Sequence, residues 1–323
     1  MRVLATGATG FLGSHLVRRL AAAPDVDRVR VLVRTTSDLG RLDEVGCERV
    51  AGDVTDAASV AAAIDGIDLV IHCAAAVAFG PRDPAALHRV NVEGTVNVLQ
   101  AAVDAGATAI HVSSVTAYGP TNADAEPADE SWWNAAEPVA VYEATKRASH
   151  EVARRLAADG APVRIAAPGG IYGPGDTSTM AALIDAYARW PLALGYLPEV
   201  RQSLVQVDDA VDALVRIARH GVDGREYLVV ADAVSLHTWL STIARAGGRH
   251  GPRLWIPTSL IRRSGTPAGK VAARLGASPQ MVPELVAVAT HDSAFSGDRL
   301  RSELGWAPRP LTEGMIEWQA AAR

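Results

Sequence analysis

Tyr142 and Lys146 stand four residues apart in Tyr142-Glu143-Ala144-Thr145-Lys146. On a helix that spacing puts two side chains one above the other, roughly 5–6 Å between Cβ atoms. An ammonium so placed favours phenolate over phenol and draws the tyrosine pKa toward working pH. A phenol tuned in this way can pass a proton to or from a carbonyl or alcohol oxygen. Ser113-Ser114 closes the apolar run Ile110–Val112. A hydroxyl at such a strand end can hydrogen-bond a substrate oxygen and steady its developing charge, although a Ser-Ser pair in isolation is an ordinary strand end. Near the start of the chain lie Gly7, Gly10 and Gly13 of Thr6-Gly7-Ala8-Thr9-Gly10-Phe11-Leu12-Gly13. They follow a strand-like run and open a helical pattern, the context that gives such glycines meaning. Gly7 permits a tight turn, Gly10 lets the backbone approach a pyrophosphate, and Gly13 lets the helix pack on the sheet. The helix N-terminus then meets the phosphates with free N–H groups. A proton-passing phenol and a dinucleotide cradle in one chain point to oxidoreductase chemistry.

The second strand-like run ends Val31-Leu32-Val33-Arg34. About 20 residues past the glycines, a carboxylate would bind the ribose 2′-hydroxyl of NAD; here the residue is Arg34. An arginine can pair with a 2′-phosphate through a charge-assisted bond that NAD cannot supply. The expected cofactor is therefore NADP(H), with NAD(H) as the alternative if Arg34 is only a solvated surface residue. Asp53, beside Val54, ends the next strand and either accepts from the adenine amino group or is a helix N-cap or turn residue. The nine histidines show no metal-ligand pattern, and no metal is expected; His72 and His111 lie in strands and read as satisfied core residues.

The elements that must hold these groups alternate. Val3–Thr6, Val29–Val33, Val50-Ala51, Leu69–His72, Ile110–Ser113 and Val163–Ala166 read as strands. Segments 13–22, 57–64, 87–104 and 142–159 have helical spacing. Mostly apolar strands alternating with helices mark an α/β fold with a parallel sheet covered on both faces. Right-handed crossovers make it doubly wound, of Rossmann type, with ligands at the carboxyl ends of the strands. The pattern degrades after about residue 168, where helices at 208–220 and 235–247 and a strand at 225–231 remain. We expect residues 1–167 to form the dinucleotide-binding domain. Residues 168–323 then form a smaller substrate-binding lobe, with some segments returning to the sheet. Tyr118 to Glu137 reads as a long polar connection of the kind that is usually functional or mobile.

At 323 residues the chain exceeds the usual single-core size. A net charge of −5 gives no electrostatic reason to expect nucleic acid or an anionic membrane as partner. Cys47 and Cys73 lack the number and spacing of a disulfide framework or zinc site; Cys73 reads as a small core residue. No apolar stretch approaches the roughly 18 residues of a membrane span. Met1 leads within one residue into a strand. The expectation is a cytoplasmic protein with a small-molecule substrate.

Taken as an ordered set, several motifs resemble the extended short-chain dehydrogenase/reductases. They are Thr6-Gly7-Ala8-Thr9-Gly10-Phe11-Leu12-Gly13, Gly52-Asp53-Val54, Asn91-Val92-Glu93-Gly94-Thr95, Val112-Ser113-Ser114-Val115-Thr116-Ala117-Tyr118-Gly119 and Tyr142-x-x-x-Lys146. Tyr172-Gly173-Pro174-Gly175, Val207-Asp208-Asp209 and Glu303-Leu304-Gly305-Trp306-Ala307-Pro308-Arg309 extend the likeness over nearly the whole chain. The resemblance implies Ser114 as catalytic serine, Tyr142 as proton donor or acceptor, and Lys146 as the group that tunes it and bonds the nicotinamide ribose. Asn91 would be structural or part of a water relay. Ala74, Ala75 and Ala76 would line the cofactor, and Pro168, Gly169, Gly170 and Ile171 would touch its nicotinamide end. A monomer or homodimer is implied, the latter through helices near 87–104 and 142–159.

Members acting on sugar nucleotides usually carry an arginine and an asparagine where this chain has Ala167 and Gly170, and a basic residue where it has Gln202 beside Arg201. What remains resembles the dihydroflavonol reductase and 3β-hydroxysteroid dehydrogenase branch, implying ketone reduction or alcohol oxidation on hydrophobic, often ringed molecules. Phe79, Trp132 and Trp133, with Tyr187, Trp190 and Tyr196, are candidates to line such a pocket together with Ser114 and Tyr142. Competing readings are an epimerase or dehydratase using tightly held NAD, and a cofactor-binding regulator without chemistry. The stretch Thr258–Gly276, basic and apolar but interrupted by Gly265, Pro267 and Gly269, reads as a solvated cap segment.

Overall fold

The apolar runs of the first half form parallel strands, and most of the stretches between them form crossover helices. In the computed structural model, which describes residues 1–323 except 124, 190–193, 275–277, 279 and 322–323, the elements run as follows. The first half holds β1 (Arg2–Thr6), α1 (Phe11–Ala21), β2 (Arg28–Val33), β3 (Glu48–Ala51), α2 (Ala57–Ile64), β4 (Leu69–His72), α3 (Pro84–His88), α4 (Gly94–Asp104), β5 (Thr108–Val112), α5 (Val141–Ala158) and β6 (Val163–Pro168). β7 (Gly170–Tyr172), α6 (Thr179–Arg189), β8 (Leu194–Tyr196), β9 (Arg201–Gln206), α7 (Val207–His220), β10 (Glu226–Val229), β11 (Asp232–Ser235) and α8 (Leu236–Ala246) come next. The chain ends with β12 (Leu254–Ile256), α9 (Thr258–Arg274), α10 (Met281–Ala289), α11 (Asp298–Leu304) and α12 (Leu311–Ala321).

Seven strands make one parallel sheet in the order β3-β2-β1-β4-β5-β6-β10. The fold is a Rossmann-like, doubly wound α/β sheet. The chain works outward from β1 to β3, then restarts at β4 on the other side of β1, so the carboxyl ends of β1 and β4 leave a crevice between diverging crossovers. Side chains alternate across the sheet. Val3 and Ala5 pack with Leu16, Val17, Val211 and Leu214 of α1 and α7. Leu4 packs on the opposite face with Val60, Val98, Leu99 and Val152 of α2, α4 and α5.

The second half both extends this sheet and builds on it. It supplies the edge strand β10 and the covering helices α7 and α11, and it adds a three-stranded sheet β11-β9-β7 and a β12-β8 pair. Tyr172, Ile184, Trp239, Leu240, Met315 and Trp318 form a further core shared by α6, α8 and α12.

Two stretches depart from their sequence reading. The helix expected over 87–104 is interrupted by a π-helical turn, Arg89–Glu93, between α3 and α4. Such turns are rare and cluster at functional sites; this one carries the buried Asn91. The stretch expected to be interrupted at Gly265, Pro267 and Gly269 runs as the continuous helix α9. It packs on α10, and tertiary packing overrides intrinsic propensity there.

Candidate active site

The dinucleotide end is built on the β1–α1 turn. Gly7 has φ +70, and a Cβ on it would lie 2.6 Å from the Ala74 nitrogen; a Cβ on Gly13 would lie 2.2 Å from the Gly7 carbonyl oxygen. Only glycine permits the turn and the seating of α1 against it. No side chain caps α1, and its first turn holds no acidic residue, so its N–H groups and dipole face the crevice. There lies a cavity of about 400 Å³ walled by Gly7, Thr9, Gly10, Arg34, Asp53, Val54 and Ala74 to Ala76. Phe11, Leu12 and Gly13 belong to the first turn of α1. The Arg34 side chain is exposed and has no ion-pair partner among the described residues. Asp53 Oδ1 accepts from Thr55 N and Oγ1 at 2.9 and 2.8 Å, while the α2 cap is Asp56. A volume, a cradle that a Cβ would fill, and an uncapped helix terminus together fit a bound dinucleotide.

A second cavity, of about 420 Å³, adjoins the first, the two sharing Cys73 and Ala75. Val112, Ser113, Ser114, Tyr142, Lys146 and Pro168 to Ile171 wall it. α5 positions the tyrosine and lysine: Glu143 accepts from Val139 N and Ala140 N at 3.0 and 3.3 Å and so caps the helix start. Lys146 is buried, and its Nζ donates to the Val112 carbonyl oxygen at 3.1 Å. Ser114 opens a single 3₁₀ turn, Val115–Tyr118; its Oγ accepts from Thr116 N at 3.2 Å and donates to Thr116 Oγ1 at 3.1 Å. Asn91 Oδ1 accepts from Ala76 N at 2.7 Å, while its Nδ2 donates to Ala76 O at 2.9 Å and Thr145 Oγ1 at 3.0 Å. It thereby ties the alanine loop to α5.

Burial changes the electrostatics expected from the tyrosine–lysine spacing. It pushes the Tyr142 phenol up to about 12 and brings the Lys146 ammonium down to about 8. Desolvation disfavours whichever form is charged, and it is the leading cause of both shifts. Tyr142 therefore stays protonated at neutral pH. Cys73, expected in the core, packs against it and also walls both cavities where they meet, and burial pushes its thiol up to about 12.

The aromatic residues divide. Phe79 meets the Tyr142 ring edge-on, centroids 6.2 Å apart. Trp132 and Trp133 do not wall the cavity. They pack on the cluster around Tyr118 and Phe295, with Trp132 Nε1 bonded to Pro120 O at 3.2 Å and the Arg154 guanidinium 4.1 Å from the Trp133 ring centre. They anchor the long loop, an apolar task that their sequence position could not reveal. Tyr187 and Tyr196 belong to the α6–α8 core, and Trp190 lies outside the described residues. His72 is satisfied between Thr6 Oγ1 and Thr95 Oγ1, at 2.7 and 3.0 Å. Both ring nitrogens of the buried His111 lack partners among the described residues.

Sequence reasoning missed the wall residues that come from afar. Ser37 joins Arg34 in the dinucleotide cavity, a polar residue just past the β2 end that could have been noticed. Met180, Val288 and His291 also wall the second cavity, and no local motif marks them, whereas Gln202, which joins them there, is marked by its motif position. Arg201, adjacent to Gln202, turns away to donate to Ala125 O and Asn122 O at 2.8 and 2.7 Å.

Comparison with known proteins agrees with this architecture. The chain is 32% identical to sterol demethylase protein B of Methylococcus capsulatus over 81% of its own length and 79% of the relative's. It is 29% identical to a 4-hydroxy-2-methyl-3-oxo-4-farnesyl-3,4-dihydroquinoline-1-oxide ketoreductase of Stigmatella aurantiaca, covering 96% and 92%. The crystal structure of gox2253 superposes with a TM-score of 0.84 at 29% identity, covering 99% of this chain and 97% of that one. Residues 3–231 match the NAD dependent epimerase/dehydratase family. Glycine turn, parallel sheet and family match agree: the chain belongs to that family, among the extended short-chain dehydrogenase/reductases.

Proposed function

We propose that the protein is an NADP(H)-dependent ketoreductase or alcohol dehydrogenase acting on a hydrophobic small-molecule carbonyl. In this reading residues 1–167 bind the dinucleotide and residues 168–323 supply the substrate lobe. One observation carries it: Tyr142, Ser114 and Lys146 wall a single cavity that meets the dinucleotide cavity at Cys73 and Ala75. A bound nicotinamide supplies hydride to the carbonyl carbon. The carbonyl oxygen then needs a proton, and Tyr142 gives it, its phenol being kept protonated by burial. Ser114 Oγ, turning its hydrogen away from Thr116 Oγ1, donates to the same oxygen and steadies its charge. The Lys146 ammonium, held by the Val112 carbonyl, stabilises the phenolate left behind.

Arg34 and Ser37 on one wall support a 2′-phosphate and hence NADP(H). Val77, Val115, Ile171, Met180 and Val288 on the substrate side suit an apolar molecule. Ala167, Gly170 and Gln202, with Arg201 engaged elsewhere, offer little to a diphosphate. Likeness to a ketoreductase named for a farnesylated quinoline supports the same substrate class. The family's name favours a second reading, an epimerase or dehydratase cycling tightly held NAD.

The test is NADPH oxidation against decalone and other cyclic and aromatic ketones, with NADH and nucleotide sugars in parallel. Ketone-dependent oxidation preferring NADPH is the expected result. Nicotinamide that travels with the protein through gel filtration, without net NADPH consumption, would establish the epimerase reading instead. Binding of NADPH with no turnover of any compound would leave a silent regulator.

A further inference from the structure

Tyr142, Lys146, His150 and Arg154 follow one another at four-residue intervals, so a single stripe of α5 carries all four. The first two serve the cavity. One turn beyond Lys146, His150 Nδ1 lies 2.8 Å from Ser113 Oγ, and its Nε2 lies 3.1 Å from Glu226 Oε2 on β10. Glu226 also accepts from Tyr118 OH at 2.5 Å and from Arg154 Nε and Nη2 at 2.6 and 2.8 Å. A carboxylate with that many donors stays ionised; its pKa is held down to about 2 although burial opposes this. An ionised Glu226 can only accept, so His150 must present Nε2–H to it. Nδ1 is then a bare acceptor, and the Ser113 hydroxyl donates to it.

The imidazole has no room to do otherwise. It is 0% exposed, with the Tyr118 ring edge-on at 4.9 Å and the Trp133 ring tilted at 5.6 Å. The charged groups facing it are Glu226, Arg154 and Lys146, and the other titratable neighbours are Tyr118 and His111. Burial, with Arg154 and Lys146, lowers its pKa against the pull of Glu226, so it is neutral at working pH.

We propose that His150, oriented by Glu226, is a positioning residue for the serine pair at the end of β5. It commits the Ser113 hydrogen inward, so that Ser113 faces the cavity as an acceptor only, beside Ser114, whose hydrogen rests on the Thr116 hydroxyl and is the one left to turn toward a substrate. It also pins the strand end from the helix side, one turn from where Lys146 holds the Val112 carbonyl. Serine, histidine and carboxylate in this order also make an acyl-transfer triad. Here, however, the Ser113 N–H that would face an oxyanion is spent on Ala166 O at 2.7 Å, and Ser113 as a whole is 4% exposed. The catalytic consequence rests on the reductase reading; the tautomer does not.

Long-range proton–nitrogen correlation spectra of the full, ¹⁵N-histidine-labelled chain read the tautomer without any substrate. A His150→Phe spectrum assigns the signal. A neutral Nε2–H ring at neutral pH is expected; an Nδ1–H ring or an imidazolium overturns the proposal. In decalone reduction, Ser113→Ala and His150→Phe should each lower kcat about ten- to a hundredfold. The double variant should be no slower than the worse single one, with KM and NADPH affinity changed less than about twofold. Multiplying losses, or an unchanged kcat in either variant, refute the role. If His150→Phe does not fold, Ser113→Ala and Glu226→Gln take its place, the latter being expected to move the His150 nitrogen shifts. Absence of any decalone turnover by the natural chain counts against the reductase reading and leaves the tautomer to be judged by its spectrum.

Discussion

A phenol pushed up to about 12 and an ammonium brought down to about 8 are what two neighbouring groups become when water is withdrawn from both. In the proposed reaction Tyr142 arrives carrying its proton, as an unshifted phenol also would at neutral pH, and burial reinforces this. Replacing it by phenylalanine keeps the ring that Phe79 meets edge-on and removes only the hydroxyl. Tyr142→Phe should therefore lower turnover about a hundred- to ten-thousandfold while leaving NADPH affinity, read by fluorescence titration, nearly unchanged. Turnover within threefold of the natural chain would remove Tyr142 from the proton path.

Among the elements, α1 and α5 do most to set the geometry, one by its terminus and one by a stripe. α1 can present its N–H groups only because nothing larger than hydrogen separates Gly13 from the Gly7 carbonyl. Gly13→Val would drive side-chain carbons into that backbone and push the helix start off the turn. Overpacking of this kind costs about 1–3 kcal/mol, to be read as a lower midpoint in denaturant unfolding. NADPH binding should weaken more than stability does, because the phosphates lose their donors. An unaltered NADPH affinity would mean that the helix terminus is not the phosphate site. The π-helical turn before α4 works in the same sense, placing Asn91 where one side chain can hold both the alanine loop and α5.

For the whole molecule, three buried histidines set a response to acid. His72 is lowered to about 3, and His111 and His150 are lowered as well, chiefly by burial. In the unfolded chain each takes a proton near pH 6.5, while the folded chain refuses it. Their stabilisation is therefore whole above about pH 6.5 and is lost as the pH falls toward the folded values, at up to about 1.4 kcal/mol per pH unit for each. Glu226, held down to about 2, adds a loss of the same sign in the carboxylate range. Glu130, Glu143 and Asp209, whose carboxyls burial raises, work against it there. Urea unfolding at successive pH values between neutrality and pH 5 should show a falling midpoint; a flat midpoint would mean that these rings accept protons in the folded state. No described helix is long and apolar enough to cross a membrane.

Much of this was legible in the sequence, for a physical reason. Strands, crossover helices, the glycine turn and the Tyr142–Lys146 stripe depend on the period of local structure and on what a single residue type permits. Those properties travel with the chain itself. Gly7 and Gly13 needed no partner to be read, and Tyr142 and Lys146 needed only a helix. What depends on neighbours distant along the chain was decided by packing alone. The balance between burial and charge at Tyr142, the turn of Trp132 and Trp133 onto Tyr118, and the arrival of Met180 and His291 at one wall are of this kind. So is the meeting of Ser113, His150 and Glu226, which joins a strand end, a helix and an edge strand from three parts of the sequence. Distance and desolvation are properties of the assembled interior, and no spacing within a segment encodes them.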